Sequence, residues 1–347
     1  MIQTRSIISS PSSEDAQRPG VPAGLPETED VAAEAGADAE QRQFEVPAAL
    51  HGERLDRALA ALVAEFSRNY LRQLIEDGAA RLNGAPVRKP AQRLKVGDRL
   101  EIELRPTPQA QAFVPQEMTL DVVFEDEHLV VINKPAGLVV HPAAGHWSGT
   151  LLNGLLARDA RAAQLPRAGI VHRLDKDTSG LMVVARSRRA MDALVARIAA
   201  REVGREYVAL AHRSWTGPGS RTVDAPIGRD PRNRLRMAVV DLSLNAGKPA
   251  QTELHLLQNI EKGCLVRCRL ITGRTHQIRV HLASLGHPLV SDPLYGGAMA
   301  AGMTRQALHA RQLTFHHPIT DEPLRFSSPL PGDLQAALDS WGLTIEA

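Results

Sequence analysis

The sequence predicts an α+β chain: a small domain of two helices and a β-ribbon, followed by a larger, mainly antiparallel mixed-sheet domain. Three observations lead there. At 347 residues the chain has room for two or three domains with at least one sizeable core. Its composition changes abruptly near Phe44 and again at the Pro/Gln-rich stretch RPTPQAQAFVPQ. Beyond about residue 117, strand-like runs outnumber helical ones and mostly follow one another, the order expected of antiparallel pairing rather than of a doubly wound parallel sheet.

The first 43 residues are rich in Ala, Pro, Gly, Ser and Glu, with almost no clusters of aromatic or long aliphatic residues. Such a segment cannot bury enough apolar surface to offset its ordering entropy, so residues 1–43 are expected to form a disordered acidic tail. Residues 1–42 carry eight acids and three arginines, a net of −5 that leaves +7 on the rest of a chain whose formal net charge is +2. A basic body tolerates a polyanionic partner without proving one.

From Phe44 onward Leu55, Leu59, Leu62 and Phe66 fall at helical spacing, with Arg54 and Arg57 on the other side. Ser67 is placed to cap a second helix, RNYLRQLIEDG, which Gly78 closes. Two short strands, AARLNG and DRLEIEL, flank the turn residues Asn83-Gly84 and the loop KVGD. A linker over 106–116 separates this unit from a second domain over 117–340. There the strand candidates are LVVINK, GIVHRL, LMVVARS, REYVALAH, QTELHLLQ and CLVRCRLI, and helical patterns follow Ser187 and span RTHQIRVHLASL. The longest apolar runs are strand-length and far too short to cross a bilayer. With no signal peptide visible, cytoplasmic location is the expectation. The two cysteines, Cys264 and Cys268, sit inside one apolar run and read as small buried thiols rather than zinc ligands.

The densest polar segment runs from His172 to Gly180, HRLDKDTSG, where two carboxylates, two cations and two hydroxyls crowd between apolar strands. Such crowding costs stability unless it is hydrogen-bonded or used. The residues alone mark a candidate site without naming a reaction. His172, His276 and His281 do not share a helical face as metal ligands spaced i, i+4 would, so no metal site is expected. P-loop and dinucleotide fingerprints do not occur.

HRLDKDTSGLMVVA resembles the signature of the ribosomal large-subunit pseudouridine synthase family of the RluA type. INKPAGLVVHP (132–142), GTLLNGLL (149–156), REYVALAH (205–212), DAPIGRD (224–230), GKPAQTEL (247–254) and LITGRTHQIRVHLASLGHPLVSDPLYG (270–296) resemble its further blocks in family order. The segment 52–105, with RLD, SR, I-x-x-G, LNG and GD, is similar to the S4 RNA-binding domain, and an S4 domain in front points to the D-type branch. The resemblance implies an isomerase that converts uridine to pseudouridine in 23S ribosomal RNA, alone or in a pre-ribosomal particle. It implies no small-molecule cofactor, no metal and no membrane partner, and a monomer is expected. On this reading Asp175 is the catalytic carboxylate and Arg274 pairs with it. Tyr207 stacks on the flipped uracil, and Arg173 fills the space the base vacates. Arg54, Arg57, Arg68 and Arg72, with Arg88 and Lys89, form a phosphate-binding face on the S4-like unit. Asp177, the rival carboxylate, is assigned loop hydrogen bonding. Two other readings stand beside this one: a non-catalytic S4-containing assembly factor, and the same enzyme acting on tRNA. The chain departs from the family pattern at Arg205, where lysine is usual, and in DPRNRLRM, a difference that bears on RNA selection.

Overall fold

The computed structural model describes residues 40–104, 112–143 and 145–345. Most of the expected tail, residues 1–39, lies outside them. Its last part does not behave as tail: β1 (Glu40–Glu45) pairs antiparallel with β4 (Arg99–Leu104). Phe44 packs against the apolar core of the small domain while its neighbours Gln43 and Glu45 face water, the two-sided pattern of an edge strand.

That domain holds α1 (Leu55–Leu62), α2 (Arg68–Glu76), β2 (Ala80–Leu82) and β3 (Ala85–Val87), in a four-stranded sheet of order β1-β4-β2-β3. The Ser67 hydroxyl caps α2 by accepting from the Tyr70 amide at 3.3 Å. Asn83 and Gly84 both take positive φ, 52° and 81°, which is what a two-residue hairpin between β2 and β3 requires. Leu55, Leu59, Leu71, Ile75, Leu100 and Ile102 are fully buried where both helices meet the sheet.

The larger domain is organised by one nine-stranded sheet. Its strands are β5 (Val122–Glu125), β6 (Leu129–Lys134), β7 (Ser179–Ala185), β8 (Gly204–His212), β9 (Ser220–Asp224), β13 (Gln251–Ile260), β14 (Gly263–Leu270), β15 (Leu308–His316) and β16 (Pro323–Ser327). The order is β5-β6-β7-β15-β8-β14-β13-β9, with β16 beside β15, and every pairing is antiparallel except β7 with β15. A small sheet of β10 (Ile227–Arg229), β11 (Met237–Val239) and β12 (Gly247–Lys248) stands apart. The helices are α3 (Leu151–Arg158), α4 (Arg188–Ala199), α5 (Gln277–Ser284) and α6 (Gly332–Trp341). GTLLNGLL becomes α3 because Thr150 and Asn153 form a reciprocal capping box.

Two expectations need correcting. The end of the proposed linker belongs to the larger domain: Asn153 Nδ2 donates to the carbonyls of Ala112 (3.2 Å) and Val114 (2.8 Å), and Gln116 Oε1 accepts from the Gly149 amide at 2.6 Å. GIVHRL is not a strand. His172 Nε2 accepts the Val183 amide at 3.0 Å, so a side chain takes the place of a backbone partner on β7. Gly169, at φ +81°, has no room for a side chain because a Cβ there would collide with the Ala185 carbonyl.

Candidate active site

Asp175 sits in a turn closed by the Thr178 amide donating to its carbonyl at 3.1 Å, just before β7. The loop is anchored from beneath. Lys134, at the end of β6 and 1% exposed, donates through Nζ to the carbonyls of Pro135 (2.8 Å), Leu138 (2.9 Å) and Lys176 (2.9 Å). Burial lowers its pKa to about 8, while the carboxylates of Asp177 and Asp175 oppose the fall. Lys134 thereby fixes the backbone next to Asp175.

The Asp175 side chain is 17% exposed, open enough to meet a ligand. Its Oδ2 accepts from Arg279 Nη1 at 3.1 Å, and His276 Nε2 lies 3.9 Å from its Oδ1. Arg279 also grips Asp292 in two-pronged fashion, Nε to Oδ2 at 2.8 Å and Nη2 to Oδ1 at 2.9 Å. Asp292 is completely buried. A planar guanidinium clamped on one side has little freedom on the other, so Arg279 presents a fixed donor to Asp175. Burial works against the charge on Arg279, but hydrogen bonds and attraction to Asp292 and Asp175 prevail and raise its pKa.

The partner expected for Asp175 is Arg274, and the structure supplies Arg279 instead. The reason is where α5 begins. The helix starts at Gln277, and His276 ahead of it takes a left-handed φ of 58°. Arg274 therefore lies in the preceding turn, where its Nε donates to the Pro249 carbonyl at 3.0 Å. Arg279, two residues into the helix, is the side chain that reaches the carboxylate. Its signal in the sequence is weak because arginine within an apolar helical run reads as a solvated face.

Tyr207 lies mid-strand in β8, opposite Cys268 of β14 and Ala310 of β15, and is 5% exposed. Burial, with the Asp175 charge adding to it and Arg205 opposing, pushes its phenol up to about 12. Asp175 and Tyr207 are thus close enough to interact electrostatically. Arg173 is exposed at the mouth of the loop, and Arg205, two residues before Tyr207 on the same face of β8, is buried. Asp177 lends its carbonyl to Arg305 Nη1 at 2.9 Å.

His172 and His281 serve separate structural ends. His172 is held neutral by burial, its pKa lowered to about 3. His281 is bonded to Thr252 Oγ1 at 2.9 Å and to the Ala225 carbonyl at 3.0 Å. Among the described residues no group of three or more His, Cys, Asp or Glu is arranged to hold a metal ion, and no helix is long and apolar enough to cross a membrane. A groove of about 300 Å³ lined by Glu206, Arg221, Glu253, His255, Arg267 and Arg269 contains none of the residues above.

In the small domain Arg54, Arg57, Arg68 and Arg72 all have acidic partners. Asp56, 1% exposed, accepts from Arg54 Nε at 2.9 Å and Arg68 Nη2 at 2.6 Å. Burial alone would raise its carboxyl, but the two arginines outweigh it and bring it down to about 2. Arg57 lies 3.7 Å from Glu53, and Arg72 lies 2.9 Å from Glu76. Arg54 and Arg68 therefore have a structural task in addition to any contact with a ligand. Arg57 and Arg72, 57% and 59% exposed, hold only solvent-exposed i, i+4 pairs that a polyanion could replace.

Comparison with known proteins is consistent throughout. Residues 128–284 match the family model of RNA pseudouridylate synthases, and residues 53–100 match the S4 domain. The chain is 47% identical over 316 residues to the ribosomal large subunit pseudouridine synthase D of Xanthomonas campestris, covering 87% of this chain and 93% of that protein. It is 48% identical over 306 residues to the protein of the same name from Xylella fastidiosa, covering 84% and 90%. Among solved structures, human RNA pseudouridylate synthase domain containing 1 aligns with a TM-score of 0.51 and 28% identity, over 63% of this chain and 87% of that one.

Proposed function

Because the chain belongs to the ribosomal large subunit pseudouridine synthase family, we propose that it converts specific uridines of 23S ribosomal RNA to pseudouridine at Asp175. The observation that carries the assignment of the site is the accessible Asp175 carboxylate, held by Arg279 at 3.1 Å. The reaction breaks the bond between N1 and the ribose anomeric carbon, turns the uracil, and forms a bond from C5 to the same carbon. N1 gains a proton, C5 loses one, and no electrons are exchanged with an outside reagent. Cleaving a glycosidic bond builds positive charge at the anomeric carbon, which a fixed carboxylate stabilises.

The target base must leave its stack before Asp175 can reach the sugar. Arg173, exposed beside the carboxylate, is the side chain suited to occupy the vacated position. Tyr207 offers a ring face to the uracil. While Asp175 is ionised the phenol is neutral and a poor base, its pKa raised mainly by burial and further by that charge. The hydroxyl is the polar group of this side chain available to assist the proton transfer at C5. The small domain supplies sequence-independent attraction to phosphates through Arg57 and Arg72, with Arg54 and Arg68 holding the two helices in register.

The test is Asp175→Asn with a 23S fragment carrying tritium at uridine C5, since each turnover releases that label. Turnover should vanish while RNA affinity stays within a few-fold, and retained turnover would sink the assignment. Pseudouridine mapping in rRNA and tRNA from cells with and without the gene identifies the substrate class.

A further inference from the structure

The turn from Asp292 to Gly297 touches both side chains that face Asp175. Asp292 holds Arg279 by two hydrogen bonds. Three residues later, Tyr295 lays its ring against the same guanidinium, with Arg279 Cζ 4.9 Å from the ring centroid. The Tyr295 hydroxyl lies 2.7 Å from His276 Nδ1 and accepts the Met237 amide of β11 at 3.1 Å. The two rings meet edge to face at 5.6 Å and 83°. From these contacts we propose that Tyr295 is a positioning residue. Its hydroxyl sets the tautomer of His276 and its ring steadies Arg279, so that each Asp175 oxygen faces a donor of fixed orientation.

Proton accounting supports the assignment. A phenol oxygen carries one proton, and the Met237 N–H already occupies an acceptor position on it. If the phenol proton points to His276 Nδ1, that nitrogen is the acceptor and the imidazole proton sits on Nε2. The Nε2–H then faces Asp175 Oδ1, 3.9 Å away. The opposite tautomer would make the phenol oxygen accept twice, leave the phenol proton without a partner, and turn the Nε2 lone pair toward a carboxylate. Burial favours the neutral ring, as do the neighbouring charges of Arg279 and Arg173, against the attraction of Asp175 and Asp292. His276 takes a left-handed backbone φ of 58°, uncommon outside glycine, and its ring lies between Tyr295 and Asp175. A single hydroxyl thereby joins the small sheet of β10–β12 to the carboxylate through one imidazole.

This inference rests on the reaction proposed above for its kinetic readout only. Tyr295→Phe keeps the ring on Arg279 and removes the hydroxyl. It should lower kcat on the 23S fragment by roughly tenfold to a hundredfold, with KM for the RNA within about twofold. Tyr295→Leu, which also loses the ring, should fall further. Independently of activity, ¹⁵N spectra of histidine-labelled protein report the tautomer, with His276 identified by the signal missing in His276→Gln. Wild-type protein should show His276 protonated on Nε2, and Tyr295→Phe should show that preference lost. A merely structural tyrosine would lower the unfolding temperature without moving the tautomer. Wild-type kcat in Tyr295→Phe, or a wild-type His276 protonated on Nδ1, would overturn the proposal. If wild-type protein released no label from the fragment, the assigned substrate would be at fault, and the tautomer spectra would still decide the role of Tyr295.

Discussion

Arg279→Lys isolates the contact on which the site turns. The guanidinium makes three charge-assisted hydrogen bonds, two to Asp292 at 2.8 and 2.9 Å and one to Asp175 at 3.1 Å. An ammonium on a straight stem retains the charge but cannot span both carboxylates at once. Asp292 is fully buried and Asp175 is 17% exposed, so the lysine should stay with Asp292, where an unpaired carboxylate is costlier. The variant then lacks the bond to Asp175, worth about 1.5–3 kcal/mol for a hydrogen bond between charged groups. If that bond acts in the transition state, kcat should fall by roughly tenfold to 150-fold. Because the Arg279 side chain is only 8% exposed, KM for RNA should not move. Single-turnover label release with the variant in excess over RNA separates the chemical step from product release. A kcat within twofold of wild type, in a variant whose unfolding temperature shows it is folded, would refute the clamp.

The small domain yields two further predictions. Asp56 is held at about 2, below its ordinary value of 3.8, so its contribution is present above pH 4 and is lost as pH falls from about 4 to 2. At about 1.4 kcal/mol per unit the loss is on the order of 2 kcal/mol. Asp56→Asn should flatten the acid-induced loss of amide protection at Leu59 and Leu71 in that window, and an unaltered acid midpoint would contradict the pairing. Arg57→Gln with Arg72→Gln should weaken RNA binding and reduce the slope of log affinity against log salt by about 2, roughly one for each phosphate that is no longer neutralised. A slope equal to wild type would remove these side chains from the RNA interface.

Much of the architecture was legible because its signals are local. Strand-length apolar runs marked LVVINK, REYVALAH and CLVRCRLI as strands, and they are β6, β8 and β14 within a residue or so. Ser67 and Ser187 announced α2 and α4, and both hydroxyls accept a backbone amide at the helix start. Where a side chain replaced a backbone partner, pattern misled. GIVHRL has strand composition, yet the hydrogen bond that a strand there would offer β7 comes from His172. The strand β1 was hidden in a segment whose composition is that of a tail, because this edge strand contributes only Phe44 to the core and holds its place by backbone pairing with β4.

The sequence by itself determined the chemical groups and their order along the chain: Asp175 in its crowded loop, Tyr207 on a strand, and arginines ahead of the first helices. It could not determine which of two arginines five residues apart, Arg274 or Arg279, reaches Asp175. That choice depends on a left-handed His276, on the helix starting at Gln277, and on a buried Asp292 waiting on the far side of the guanidinium. Local propensity acts over a few residues. The clamp joins positions 175, 279 and 292, and only the packing of the sheet and α5 brings them within hydrogen-bonding distance.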